Sequence, residues 1–97
     1  MVLSQWWTYD RSIVAYSPDE LGVYELGDES KITIYYGSGK IRTRLSDHLN
    51  KKECPMARYY RFELFRTEEE CRTKEQQLLD NYEKKHGIPP MYNQRIG

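Results

Sequence analysis

Apolar and polar positions alternate along residues 21–26 and again along 31–37, two short runs rich in Val, Ile, Thr and Tyr. A period of two marks strands that bury one face, and the turn formers Gly27, Asp28, Glu29 and Ser30 between them predict a β-hairpin. A loop of even length sets Tyr24 opposite Thr33 and Gly22 opposite Tyr35, which makes Tyr24 and Tyr35 diagonal neighbours on one face. An odd loop or a bulge would break that relation. Val23, Ile32, Ile34 and Tyr36 then share the other face, the one expected to pack on helices, and the two tyrosine hydroxyls lie together on the less apolar side.

The period changes beyond Gly39, which is expected to end the loop. Ile41, Leu45, His48 and Leu49 recur at i, i+4, i+7 and i+8 and predict a helix over 40–50, with Arg44 flanking its apolar side one turn from His48. Residues 51–56 contain Pro55 and read as a loop, and 57–65 alternate as a third strand. Thr67 with Glu70 three residues later forms a capping box that opens a helix to about Lys85, with Gly87 as its stop and Pro89 and Pro90 beyond. Residues 1–16 carry a weaker pattern. Trp6, Trp7, Ile13, Val14 and Tyr16 need burial, a short helix near 10–15 would provide some, and Ser17, Pro18 and Asp19 read as a turn. The expected order is (α)-β-β-α-β-α, an α+β fold in which a small three-stranded antiparallel sheet is flanked by helices.

Length adds that 97 residues suit one domain over 1–97, with a core at about 20–93 and an N-terminal extension over 1–19. Fifteen basic and fifteen acidic side chains cancel, so the chain as a whole exerts no long-range attraction on a polyanion. The distribution is uneven. Residues 1–37 hold two basic and six acidic side chains, residues 38–97 hold thirteen and nine, and residues 40–61 hold seven cations against only Asp47 and Glu53. That stretch is either a local basic patch or a solvated helix face. Two cysteines, Cys54 and Cys71, lack zinc-ligand spacing and read as free thiols of a reducing compartment. The start of the chain lacks the apolar run of a signal peptide, and no segment approaches a membrane span, so an intracellular, cytoplasmic protein is expected.

Among the residues themselves, Glu75 stands out. Cys71, Leu78, Leu79 and Tyr82 form the inward stripe of the last long helix, and Glu75 falls in its middle. A carboxylate there needs a cation, hydrogen-bond donors or a cleft that reaches solvent. A salt bridge to a buried Arg or Lys, or a frayed and wet face, would also account for it.

Five fragments stand in a telling order: Gly22-Val23-Tyr24, Tyr35-Tyr36-Gly37, Arg44 four residues before His48, Glu75, and Pro90-Met91-Tyr92-Asn93. Together they resemble the GIY-YIG nuclease family over roughly residues 20–93. The resemblance implies metal-dependent hydrolysis of phosphodiester bonds in nucleic acid, as a DNA endonuclease of repair or processing, with RNA not excluded as substrate. It implies Glu75 as ligand of one Mg²⁺ or Mn²⁺, ions for which a single carboxylate plus substrate phosphate is a common ligand set. It implies Tyr24 and Tyr35 beside the scissile phosphate, with Tyr24 as general base. A free phenol is a poor base at neutral pH, so cations or metal must favour its ionised form or it must pass a proton onward. Arg44 then holds a phosphate oxygen and His48 relays a proton from Tyr24. Taken alone, the two tyrosines read equally as strand packing, Arg44 as a surface residue and His48 as a core histidine. Asn93 and Gly37 match supporting positions, as does Gly22 of the first fragment. The stretch from Gly37 to Arg44 is one residue shorter than in many members, which implies a tighter loop before the helix, and Tyr36 replaces a small aliphatic. The chain holds no separate recognition domain, so a protein partner supplying target specificity is expected. The alternative is a nucleic-acid-binding or protein-interaction module without turnover.

Overall fold

The computed structural model describes residues 5–96; the part of the N-terminal reading that falls on residues 1–4 lies outside the described residues. Four strands, β1 (Trp7–Thr8), β2 (Leu21–Gly27), β3 (Thr33–Lys40) and β4 (Tyr59–Leu64), form one antiparallel sheet in the order β1-β4-β2-β3. The helices are α1 (Arg11–Val14), α2 (Ile41–Lys51), α3 (Glu68–His86) and α4 (Asn93–Ile96). The fold is α+β as expected, but the sheet has four strands rather than three. The extra one is a two-residue edge formed when Trp7 pairs with Tyr60 and Thr8 with Tyr59, too short for periodicity to reveal.

The hairpin register differs from the expected one in a way that leaves its consequence intact. Gly27 pairs with Thr33, so the loop has the odd length of five, and a bulge at Ile34 then lets Leu26 pair with Tyr35, Glu25 with Tyr36 and Tyr24 with Gly37. The odd loop flips the faces and the bulge flips them back. Tyr24 thus lies opposite Gly37, not Thr33, and Gly22 opposite Gly39, not Tyr35, yet Tyr24 and Tyr35 remain diagonal neighbours. Asp28 shapes the turn by accepting the amides of Ser30 and Ile32 on its Oδ1, and Lys31 takes φ 63°.

Helices cover both faces of the sheet. On the Tyr24 face lie Leu26, Tyr35, Tyr60 and the bulged Ile34, closed by Ile41 and Leu45 of α2 and Val14 of α1. On the opposite face, Val23 and Tyr36 lie under α3, whose Tyr82 ring meets Tyr36 edge-on at 6.4 Å. The tyrosine face is therefore the main core rather than the less apolar side, because α2 folds directly onto it. Ile32 was expected on the packed face but sits in the turn, 58% exposed. Trp7 and Tyr16, expected to need burial, stay 42% and 90% exposed on the rim of an apolar groove with Ile13, Pro18 and Phe62.

No loop separates β3 from α2. Ladder pairing continues through Gly39 and Lys40, and the helix begins at Ile41, so the shortened segment is absorbed by strand. Residues 18–20 satisfy the first amides of α2 in place of a side-chain N-cap. Glu20 O accepts from Ile41, Pro18 O from Arg42, and the Asp19 carboxylate takes both the amide and the hydroxyl of Thr43 at 2.9 Å. This seating orients the next two turns, which carry Arg44 and His48. The capping box of α3 forms as predicted: Thr67 accepts the Glu70 amide at 3.1 Å and Glu70 reaches back to the Thr67 amide.

Candidate active site

Tyr24 is fully buried, and its hydroxyl lies 2.6 Å from Nε2 of His48, itself 2% exposed. Tyr35 closes the group, its ring 5.2 Å from that of His48 and 6.1 Å from that of Tyr24, both centroid to centroid. The cluster follows from the register: Tyr24 and Tyr35 share a face, and α2 departs from the end of β3 so that its second turn descends onto them. Gly37 makes the approach possible. A methyl on it would lie 2.9 Å from Tyr24 Cε2 and closer still to Cζ and the hydroxyl oxygen.

Arg44 lies along the same strand end. A methyl on Gly39 would come within 2.9 Å of Arg44 Cγ, and Gly39 adopts φ +134°, a conformation that side chains resist, so a bare backbone is required there twice over. Arg44 Nε is buried and has no hydrogen-bond partner among the described residues, while the guanidinium acts on the Tyr24 hydroxyl through its charge and a side-chain hydrogen bond. An orphaned donor on a guanidinium is fitted to an anionic oxygen brought by a ligand.

Glu75 approaches from the other face. Ser38 and Gly39 are consecutive and point to opposite sides of β3. Arg44 packs over Gly39, and Ser38 Oγ donates to Glu75 Oε1 across the edge. Glu75 is partly exposed rather than deeply buried, and among the described residues it forms no ion pair. Leu78, Leu79 and Tyr82 of the expected inward stripe are likewise only partly buried, and Cys71 alone of α3 is buried, because the helix lies near the sheet's open edge. The salt-bridge explanation of Glu75 is thus removed, whereas its partial exposure agrees with a wet helix face. A partly wet carboxylate with one oxygen held by a hydroxyl fits a hard divalent ion that retains most of its waters.

Electrostatics tie the two faces together. Burial drives the Tyr24 phenol well above its usual pKa, the neighbouring Tyr35 adds to this, and the Arg44 guanidinium opposes it. Tyr35 is raised by burial and then by the Glu75 charge, again opposed by Arg44. Both phenols thus lie within the fields of Glu75 and Arg44. His48 is lowered, chiefly by burial, with Glu53 pulling it up and Arg44 pushing it down. Burial favours the uncharged ring and the protonated phenol, and the phenol donates to Nε2 in the tautomer whose ring proton sits on Nδ1.

Asn93 braces the outer edge of β3 further along. Its Oδ1 accepts the Tyr36 amide and its Nδ2 donates to the Tyr36 carbonyl, both at 2.9 Å, so one side chain mimics a neighbouring strand. Gly22 lies in β2 where a methyl would meet the Glu63 carbonyl and, at 3.0 Å, Ile41 Cδ1, a packing role. One member of the group escaped the sequence reading. Glu53 brings its Oε1 to 2.8 Å from His48 Nδ1. A carboxylate five residues past a helical histidine carries no periodic signal, because the chain reverses between them.

Residues 1–85 match a family model described as a domain of unknown function, DUF7508. The chain belongs to that family. Comparison with curated protein sequences gives no match. Among solved structures, the chain is similar to the GIY-YIG N-terminal endonuclease domain of UvrC from Thermotoga maritima bound to its catalytic divalent cation, magnesium. The two share 25% identity with a TM-score of 0.68 over 84% of this chain and 92% of the other. An asparagine-to-alanine mutant and a tyrosine-to-phenylalanine mutant of that domain, each bound to its divalent cation, align equally well, at 25% identity and 0.68 over 91% of their length. The DUF7508 chain therefore has a GIY-YIG fold, as the five fragments implied. No helix among its described residues is long and apolar enough to cross a membrane.

Proposed function

We propose that this domain hydrolyses phosphodiester bonds of nucleic acid, with DNA as its substrate, as an endonuclease of repair or processing. The observation that carries the reading is a buried phenol, Tyr24, hydrogen-bonded at 2.6 Å to a histidine that burial keeps neutral, beside an arginine whose Nε lacks a partner among the described residues. Arg44 takes a phosphate oxygen of the substrate and offsets the charge that grows at phosphorus. Tyr24 accepts a proton from the attacking water as it gives its own to His48 Nε2, so no free phenolate has to exist in a site that disfavours one. Tyr35 borders the phosphate, while Gly37 and Asn93 keep β3 in place for it. Glu75 would hold Mg²⁺ or Mn²⁺, which in such sites activates water and stabilises a leaving oxygen. A protein partner selects the target, and the free thiols Cys54 and Cys71 fit a reducing, cytoplasmic setting.

The test is incubation of the purified protein with plasmid, single-stranded and branched DNA in Mg²⁺ or Mn²⁺. Cleavage by the parent and none by Glu75→Ala is expected; equal cleavage by both would overturn the assignment. Zero net charge favours a second reading, a binding module without turnover. A steep fall of DNA affinity with salt and no metal-dependent cutting would select it, and a shallow salt slope would point to a protein partner instead.

A further inference from the structure

We propose that Glu53 is a positioning residue that turns the Tyr24–His48 pair into a three-membered proton relay. The inference rests on the nuclease reading of the site and adds the group that makes His48 competent within it.

Helix α2 ends at Lys51, and Lys52 takes the left-handed conformation at φ 54°, ψ 40°. That single residue reverses the chain: the Lys52 amide bonds Leu49 O at 3.3 Å and the Glu53 amide bonds the His48 carbonyl at 3.2 Å. Glu53 is therefore tied through its backbone to the residue that its side chain addresses, and its Oε1 reaches 2.8 Å from Nδ1. That oxygen is out of line for an ideal Nδ1–H bond, leaving Nδ1 without a well-formed partner while the ion-pair distance is already met. Catalytic hydrogen bonds are commonly loose before substrate binds and tighten afterwards.

The chemistry needs such a group. For Nε2 to accept the Tyr24 proton, the neutral ring must carry its own proton on Nδ1, and a carboxylate beside Nδ1 selects that tautomer. In the reacting step a proton leaves water for Tyr24 Oη, the Tyr24 proton moves to His48 Nε2, the water oxygen bonds to phosphorus, and the phosphorus–oxygen bond to the leaving strand breaks. The leaving oxygen takes a proton from solvent, and nothing transfers to Glu53. Its charge offsets the imidazolium that appears in a buried site where the neighbouring Arg44 disfavours a second cation. Lys52, the left-handed residue before it, fixes its direction without entering the chemistry. The charged and titratable groups around the ring are Tyr24 from β2, Tyr35 from β3, Arg44 and Asp47 from α2, and Glu53 itself, and the groove that His48 helps to line adds Tyr9, Lys52, Cys54 and Arg58.

The variants Glu53→Gln, Glu53→Ala and Glu53→Asp are compared with the parent by two readouts. The first is nitrogen NMR of the His48 ring, with His86, the other histidine, assigned through His86→Gln. The parent ring carries its proton on Nδ1; Glu53→Ala loses that bias and titrates at lower pH, because the largest upward pull on the ring is gone and only the smaller one of Asp47 remains. The second is DNA cleavage against pH. Glu53→Gln and Glu53→Ala cut at least about tenfold more slowly, on the scale of other partners that orient a functional histidine, with the acidic limb displaced to lower pH, and Glu53→Asp recovers part of the rate. A parent-like tautomer and titration in Glu53→Ala, or a parent-like rate and pH profile in Glu53→Gln, would overturn the proposal. If the parent itself cuts no DNA, the nuclease reading fails by that arm while the NMR arm still decides whether Glu53 governs His48.

Discussion

The phenol of Tyr24 occupies the space that a side chain at Gly37 would need. The two residues are direct partners across the β2–β3 ladder, and the ring lies over the bare backbone of its neighbour. Gly37→Ala must push that ring off His48 or spread the strands. Overpacking of this kind costs about 1–3 kcal/mol, so the urea midpoint should fall, and DNA cleavage should fall with it. An unchanged midpoint together with full cleavage would show that the ring has room to move.

Tyr24→Phe removes one oxygen and keeps the ring that fills the core. Loss of the hydrogen bond leaves the buried Nε2 of His48 without a partner and should lower stability by about 1–3 kcal/mol, while loss of general acid–base function should slow cleavage about 10²- to 10⁴-fold. Cleavage time courses set beside thermal melts separate the two effects. Parent-like rates would remove Tyr24 from the chemistry.

Asn93→Ala deletes both bonds to the Tyr36 backbone and exposes the outer edge of β3. A cost of about 1–3 kcal/mol is expected, with faster hydrogen exchange of the Tyr36 amide. Exchange at the parent rate would mean that the edge is held by other contacts.

His48 links stability to pH. Burial lowers its pKa below the usual 6.5, so folding favours the neutral ring. The unfolded chain then binds more protons, and the stabilisation is complete above 6.5 and lost as pH falls through the lowered folded value. Thermal melts across this window should show the parent losing more than His48→Gln, which does not titrate. Parallel losses in the two proteins would assign the effect to carboxylates.

Glu75→Gln should bind divalent ions less well while folding normally, since the amide still accepts from Ser38. The rise in melting temperature that Mg²⁺ or Mn²⁺ gives the parent should vanish in the variant, and chelator should abolish parental cleavage. An equal rise in both proteins would place the ion elsewhere.

The amino-acid sequence by itself determined the hairpin, the two long helices, the Thr67–Glu70 capping box and the five fragments of a GIY-YIG fold. These are periodicities and short-range signals, set by residues a few positions apart. Only the tertiary structure decided that an odd loop and a bulge cancel and leave Tyr24 beside Tyr35, that α2 grows straight out of β3 with its first amides seated on residues 18–20, and that Glu53 returns to His48. It also decided that Ser38 and Gly39 present Glu75 and Arg44 to opposite faces of one edge strand. Each of these relations joins residues whose separation in space depends on register and chain reversal. Such choices are made by packing, when the sheet closes against its helices, and they leave no regular spacing along the chain.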